Sequence, residues 1–223
     1  MQSDQPIKAV QPIKAVLWDF GGVIMTSPFD AFRRYEEDRG LPRDFLRRVN
    51  STNPHGNAWA CFERGEVDAA TFGTLFLAES TALGHAVHGG EVLALISGEV
   101  RPRMVAALKQ VKTRYRIACL TNNMPHGHGP AMTGSPERAR AVAEVIALFE
   151  IVVESSKVGV RKPEPEFYER ACGLLGIQPT EAVFLDDLGI NLKPAAAMGM
   201  RTIKVTDPEA ALAELSAMIG MEL

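Results

Sequence analysis

The sequence predicts an α/β fold: a doubly wound parallel sheet with a small α-helical domain inserted after its first strand. Three observations predict it. From Val100 onward, short apolar runs of strand character alternate with helical segments, which is the pattern of parallel βαβ units. Each apolar run ends in polar residues, as strands do at the edge where an open sheet binds ligands. Between Pro28 and about Ser97 the alternation disappears and the pattern is helical throughout, which marks an insertion.

The elements follow in order. Ala15-Val16-Leu17-Trp18 runs into Asp19, and Phe20-Gly21-Gly22 follows at once, so a carboxylate sits at a strand end beside glycines that let the chain turn sharply and approach a ligand. Phe29, Phe32 and Tyr35-Glu36 open an amphipathic helix ending at Gly40, and Pro42 to Leu46 opens another with the proline in its first turn. The loop Asn53-Pro54-His55-Gly56-Asn57 leads to a segment from Trp59 to Arg64, and Asp68 caps a helix from Ala69 to Ser80. This module falls between the first two strands, so it is expected to cover the Asp19 edge as a lid. A helix from Pro102 to about Thr113 precedes a strand from Tyr115 to Leu120, which ends in Thr121-Asn122-Asn123. Three helix–strand pairs complete the chain: Glu137–Leu148 with Phe149–Val153, Glu164–Leu175 with Ala182–Leu185, and Leu192–Met198 with Arg201–Val205. The expected division is an extension over 1–13, a core domain over 14–27 and 98–223, and a helical domain over 28–97.

Gln5-Pro6-Ile7-Lys8-Ala9-Val10 is repeated unchanged as Gln11 to Val16. One tandem hexamer is not a repeat architecture, which needs several stacked units. Its first copy reads as a disordered extension or a start-site artefact. Hydrophobic residues at 46% and charged residues at 23% fit a globular chain, and a net charge of −3 gives no footprint for nucleic acid or an anionic membrane. Cys61, Cys119 and Cys172 have unrelated spacings, as free thiols in a reducing cytosol would. With no apolar run of membrane-spanning length and no signal-peptide pattern at the start, the expected location is cytoplasmic.

Four strand ends carry the chemistry: Asp19, then Thr121-Asn122, then the segment holding Lys162, then Asp186-Asp187. Asp186 and Asp187 facing Asp19 repel one another unless a cation is present. An oxygen-rich cluster of this kind suits Mg²⁺; helix capping by Asp186 or Asp187 is the structural alternative. Lys162 before Pro163 places a cation at an expected helix start, a combination that neutralises phosphate. Arg161 and Lys157 read as solvent-facing neighbours. Thr121 and Asn122 offer hydrogen-bond donors for phosphoryl oxygens, or serve as turn residues.

With these residues assembled, the chain resembles the haloacid dehalogenase-like superfamily, whose four motifs match Asp19, Thr121, Lys162 and Asp186-Asp187 in order. The stretches Ser155 to Gly159, Lys162 to Pro165 and Phe184 to Lys193 are similar in detail to two of its branches. These are the N-terminal phosphatase domain of soluble epoxide hydrolase and the N-terminal domain of acyl-CoA dehydrogenase family member 10. The resemblance implies a Rossmann-like core with a helical cap between the first two motifs, where Phe62 to Val67 also fits. It implies Asp19 as the nucleophile that forms an aspartyl-phosphate, with Thr121 and Lys162 as its catalytic companions. Thr121, Asn122, Lys162, Gly21, Gly22 and Asn191 would bind phosphate. Asp19, Asp187, the Gly21 carbonyl and Asp186 would hold Mg²⁺, with Asp186 beside the ion or reaching it through water.

One departure stands out. Most phosphatases of the superfamily carry a second Asp two residues after the nucleophile as general acid and base, and here that position is Gly21. The resemblance therefore implies a phosphate-monoester phosphatase with weakened acid/base chemistry. His126 and His128, in the loop Met124 to Ser135, are candidates for a borrowed acid. The alternatives are a dehalogenase- or phosphonatase-type hydrolase, or a low-activity module that binds phosphorylated ligands. Asp186-Asp187 counts against the dehalogenase branch. The absence of lysine from Ser27 to Gly98 counts against phosphonate cleavage through a cap Schiff base. The expected partner is a small phosphorylated metabolite, with a homodimer as a further possibility and neither nucleic acid nor membrane. His55, Trp59 and Arg64 are candidate pocket residues, with a core role as the other reading of Trp59.

Overall fold

The structure is a computed structural model that describes residues 12–96, 98–125 and 136–223. The first copy of the hexamer and the loop carrying His126 and His128 lie outside the described residues. Five strands form one parallel sheet. The central strand β1 (Ala15–Trp18) is flanked by β2 (Arg116–Thr121) and β4 (Ala182–Asp186), with β3 (Ile151–Glu154) outside β2 and β5 (Arg201–Lys204) outside β4. All four residues of β1 are fully buried, because helices cover both faces of a doubly wound sheet and the strand has no solvent side.

Side chains of successive strand residues point to opposite faces, and the two apolar cores follow that alternation. Val16, Trp18, Ile117, Cys119, Val183 and Leu185 form one core with helices α6 (Pro102–Val111), α7 (Pro136–Ile146) and α11 (Pro208–Ile219). Ala15, Leu17, Ala118, Leu120 and Phe184 form the other with α9 (Pro165–Leu175) and α10 (Gly189–Ala197). A four-residue helix, α8 (Ser155–Val158), follows β3 directly. Helix α11 is absent from the sequence reading, which ends at the last strand. Its signal is Asp207-Pro208, where the Asp207 carboxylate accepts the Ala210 N–H and the proline occupies the first turn.

Between β1 and α6 the described residues form five α-helices: α1 (Phe29–Asp38), α2 (Phe45–Ser51), α3 (Ala58–Glu63), α4 (Ala69–Ala82) and α5 (Gly89–Leu93). They share a third apolar cluster that includes Phe32, Phe45, Phe62, Phe72 and Phe76. Phe62 stacks on Phe72 with ring centroids 4.8 Å apart. Asp68 caps α4 through the Thr71 N–H, as expected. Helix α2 starts at Phe45, three residues later than Pro42, because Asp44 adopts a left-handed conformation (φ 59°) that the helix cannot include. Among the described residues, no helix is long and apolar enough to cross a membrane.

Candidate active site

Strand register brings the polar ends together. Trp18 pairs with Leu185, so Asp19 and Asp186 leave the sheet at the same level, and the Asp19 N–H continues the ladder to the Leu185 carbonyl (2.8 Å). Lys162 Nζ lies between the two carboxylates, 2.7 Å from Asp19 Oδ1 and 2.8 Å from Asp186 Oδ2. All three side chains are buried, with Lys162 1% exposed. Asp19 Oδ1 also accepts the Phe20 N–H (2.7 Å), while no donor among the described residues meets its Oδ2. Asp186 is held more tightly: it accepts hydrogen bonds from the Leu188 N–H and from Asn191 Nδ2 in addition to the lysine. Tyr168 donates to the Asn191 carbonyl (2.6 Å) and so fixes the residue that fixes Asp186.

Asp187 completes a triad of carboxylates in which one oxygen from each lies within 4.8 Å of the other two. A β-carbon on Gly22 would stand 2.2 Å from Asp187 Oδ2, and Gly22 has φ +77°. Only glycine permits both the turn and this approach. Burial pushes Asp19 well above the ordinary carboxylate range, with Asp186 and Asp187 adding to the rise and Lys162 opposing it. Burial and then Asp186 raise Asp187 to about 6. Burial works against the Lys162 ammonium, but Asp186 and Asp19 outweigh it and hold the group above its usual value. Three acids and one cation thus leave surplus negative charge in a buried, all-oxygen site. That donor set fits a hard divalent ion. Since the Asp186 oxygens already serve four contacts, Asp19 Oδ2 and Asp187 are the carboxylate oxygens best placed to meet such an ion directly.

Asn122 and Lys162 form a closed pair. The Lys162 N–H donates to Asn122 Oδ1 and Asn122 Nδ2 donates to the Lys162 carbonyl, both at 2.9 Å. The Asn122 carboxamide thus bonds Lys162 and, through the same Nδ2, Glu63. Helix α9 begins at Pro165 with Glu164 as its cap, so Pro163 does not open it and Lys162 is placed by Asn122. Asn191 lines the same cavity, and its Nδ2 donates to Asp186. Arg161 is not solvent-facing: its Nε pairs with Glu63 Oε2 and its guanidinium donates to the Pro54 carbonyl. Lys157 is exposed and pairs with Glu154.

These groups open into a cavity of about 380 Å³ lined by Asp19, Gly21, Thr121, Asn122, Lys162 and Asp187 at one end. Its wall includes Met25, Phe29, Phe32, Trp59, Ile96, Met124 and Ile190. Trp59 therefore lines the cavity, while its indole N–H donates to Glu63 Oε1 (3.0 Å). Arg64 pairs with Glu66 and Glu164. Gly21 has ordinary extended geometry (φ −70°, ψ 133°), and a β-carbon there would meet nothing within 4 Å.

A model of the haloacid dehalogenase-like hydrolase family matches residues 13–199. The chain is similar to mouse acyl-CoA dehydrogenase family member 10, at 32% identity over 94% of this chain and 19% of that protein. It is also similar to bifunctional epoxide hydrolase 2 of Sus scrofa, at 31% identity over 95% of this chain and 40% of that protein. The chain thus spans well under half the length of either. A sesquiterpene phosphatase, astK, of Aspergillus oryzae is matched over 97% of its length at 26% identity, covering 93% of this chain. Among solved structures, a haloacid dehalogenase family enzyme of Bacteroides thetaiotaomicron in complex with magnesium and inorganic phosphate shares the fold. Its TM-score is 0.56 at 21% identity, covering 86% of this chain and 93% of that one. On the match across residues 13–199, the chain belongs to the haloacid dehalogenase-like hydrolase family.

Proposed function

We propose that the protein is a Mg²⁺-dependent phosphate-monoester hydrolase acting through an aspartyl-phosphate on Asp19, with small phosphorylated metabolites of apolar body as substrates. The observation that carries this reading is the arrangement of Asp19. One carboxylate oxygen is held by Lys162 and the Phe20 N–H, the other meets no donor among the described residues, and the group stands in an oxygen cluster with Asp186 and Asp187. Asp19 and Asp187, with the Gly21 carbonyl, would hold the ion, and Asp186 would support it from behind Lys162. Bound Mg²⁺ would neutralise charge on the phosphoryl oxygens.

The Asp19 carboxylate attacks phosphorus, the bond to the leaving oxygen breaks, and an acyl phosphate forms on Asp19. Lys162 stabilises the charge that gathers during transfer. Water then attacks phosphorus, loses a proton to solvent and releases inorganic phosphate, restoring the carboxylate. Gly21 supplies no acid to the leaving oxygen, so phosphates whose leaving groups are stable anions are favoured. The apolar cavity wall supports an organic, poorly hydrated leaving group. The similarity to a sesquiterpene phosphatase agrees with that reading.

The test is release of phosphate from p-nitrophenyl phosphate with Mg²⁺ and with EDTA, in the wild type and in Asp19→Asn. Activity that requires Mg²⁺ and disappears in the variant is expected. Activity that survives Asp19→Asn refutes the nucleophile.

A further inference from the structure

The geometry points to Glu63 as a positioning residue for Lys162, through which docking of the inserted helices is transmitted to the catalytic centre. The inference rests on the reading of Asp19 and Lys162 as reacting and stabilising groups.

Glu63 is the last residue of α3, and its side chain is 9% exposed. Three donors meet its carboxylate. Trp59 Nε1 comes from its own helix, at 3.0 Å. Arg161 Nε (2.5 Å) and Asn122 Nδ2 (3.1 Å) come from the sheet side. Three donors from two sides hold the Glu63 carboxylate in one place. Its value lies in what it fixes. The same Asn122 carboxamide grips Lys162 at both its N–H and its carbonyl, and Lys162 Nζ bridges Asp19 and Asp186. One unbroken series of contacts therefore runs from the inserted helices to the nucleophile.

The residues after Glu63 grip the same region. Arg64 pairs with Glu164, and Gly65 (φ +72°) packs so closely that a β-carbon would lie 2.8 Å from the Ser156 carbonyl oxygen. The Glu63–Gly65 turn is thus a docking point whose first residue bears on the catalytic lysine. Removing the Glu63 charge leaves the Arg161 guanidinium, 13% exposed, without its carboxylate. Uncompensated buried charge forces rearrangement, and the neighbour in the chain that shares the strain is Lys162.

The experiment measures Glu63→Gln, which keeps volume and removes charge, and Glu63→Ala with and without added formate. Expected for Glu63→Gln is a kcat toward p-nitrophenyl phosphate lower by about tenfold to 100-fold, the cost of a small misplacement. KM should stay within about threefold of the wild type. Hydrogen exchange at the Lys162 amide should accelerate by about tenfold while β1 amides keep their rates. Formate should restore part of the activity of Glu63→Ala by refilling the anion site. The amide measurement needs no turnover: a wild type without Asp19-dependent activity would defeat the phosphatase reading, and the exchange rate would still judge the coupling. An unchanged Lys162 amide, an unchanged kcat, or a rise in KM alone overturns the proposal, and for a Glu63→Ala that fails to fold the Gln variant decides.

Discussion

At the scale of single residues, the site is governed by negative charge that the fold buries without fully balancing. Asp19 and Asp187 sit above the ordinary carboxylate range, chiefly through burial, with Asp187 at about 6. A carboxyl whose folded value is raised contributes stability below the unfolded value and loses it as pH rises through the folded one. The metal-free protein is therefore expected to lose stability from Asp187 as pH rises from about 4 to about 6, and bound Mg²⁺ to return it. The increase in melting temperature caused by Mg²⁺ should be largest at neutral pH and small near pH 5. Scanning calorimetry across that range checks it; an Mg²⁺ effect that does not vary with pH would show that these carboxylates are not the ligands. Asp19, Thr121 and Asp186-Asp187 were legible in the sequence because each closes or follows an apolar run of strand character, and Lys162 because it matches the third motif of the resemblance. Glu63 and Arg161 were not. They are 98 positions apart, and their pairing exists only after the inserted helices fold back onto the sheet.

At the scale of elements, the turn after β1 carries two glycines with opposite demands. Gly22 needs its left-handed conformation and its missing side chain to admit Asp187. Gly21 needs neither, since its backbone is extended and a side chain would enter open space. Gly21→Asp should therefore fold normally and place an acid beside the nucleophile, raising turnover of alkyl phosphates, whose leaving oxygen needs a proton. General acid catalysis predicts a gain of about 10²-fold to 10⁴-fold. Turnover of p-nitrophenyl phosphate, whose leaving group is a stable anion, should gain much less. Equal gains for both, or none, would show that the missing acid does not limit the rate. The alternation of strands and helices was legible for the same reason: buried parallel strands read as unbroken apolar runs. Element ends were less so. The Pro163 expectation failed because a proline suits a helix start without fixing one, and Pro165, two residues on, takes that place.

For the whole molecule, the sheet edge supplies charge and the inserted helices supply a mostly apolar wall in which Arg47, Asn50, Ser51 and Glu63 also take part. Among monophosphates of one leaving-group type, kcat/KM should rise with each methylene until the cavity is filled, by about threefold to fourfold per buried CH₂. Comparing short and long alkyl phosphates with a sugar phosphate checks this, and a preference for the sugar phosphate would contradict it. What the sequence could not show was which residues of the insertion face the nucleophile, since that depends on how two apolar clusters meet. The proposed reaction requires Asp19 to carry the phosphoryl group. The direct measurement is rapid acid quenching during turnover with Mg²⁺, followed by mass spectrometry of the peptide containing residues 15–25. One phosphoryl group on Asp19 in the wild type and none in Asp19→Asn is the expected result, and steady turnover with no phosphorylated Asp19 peptide would contradict the account.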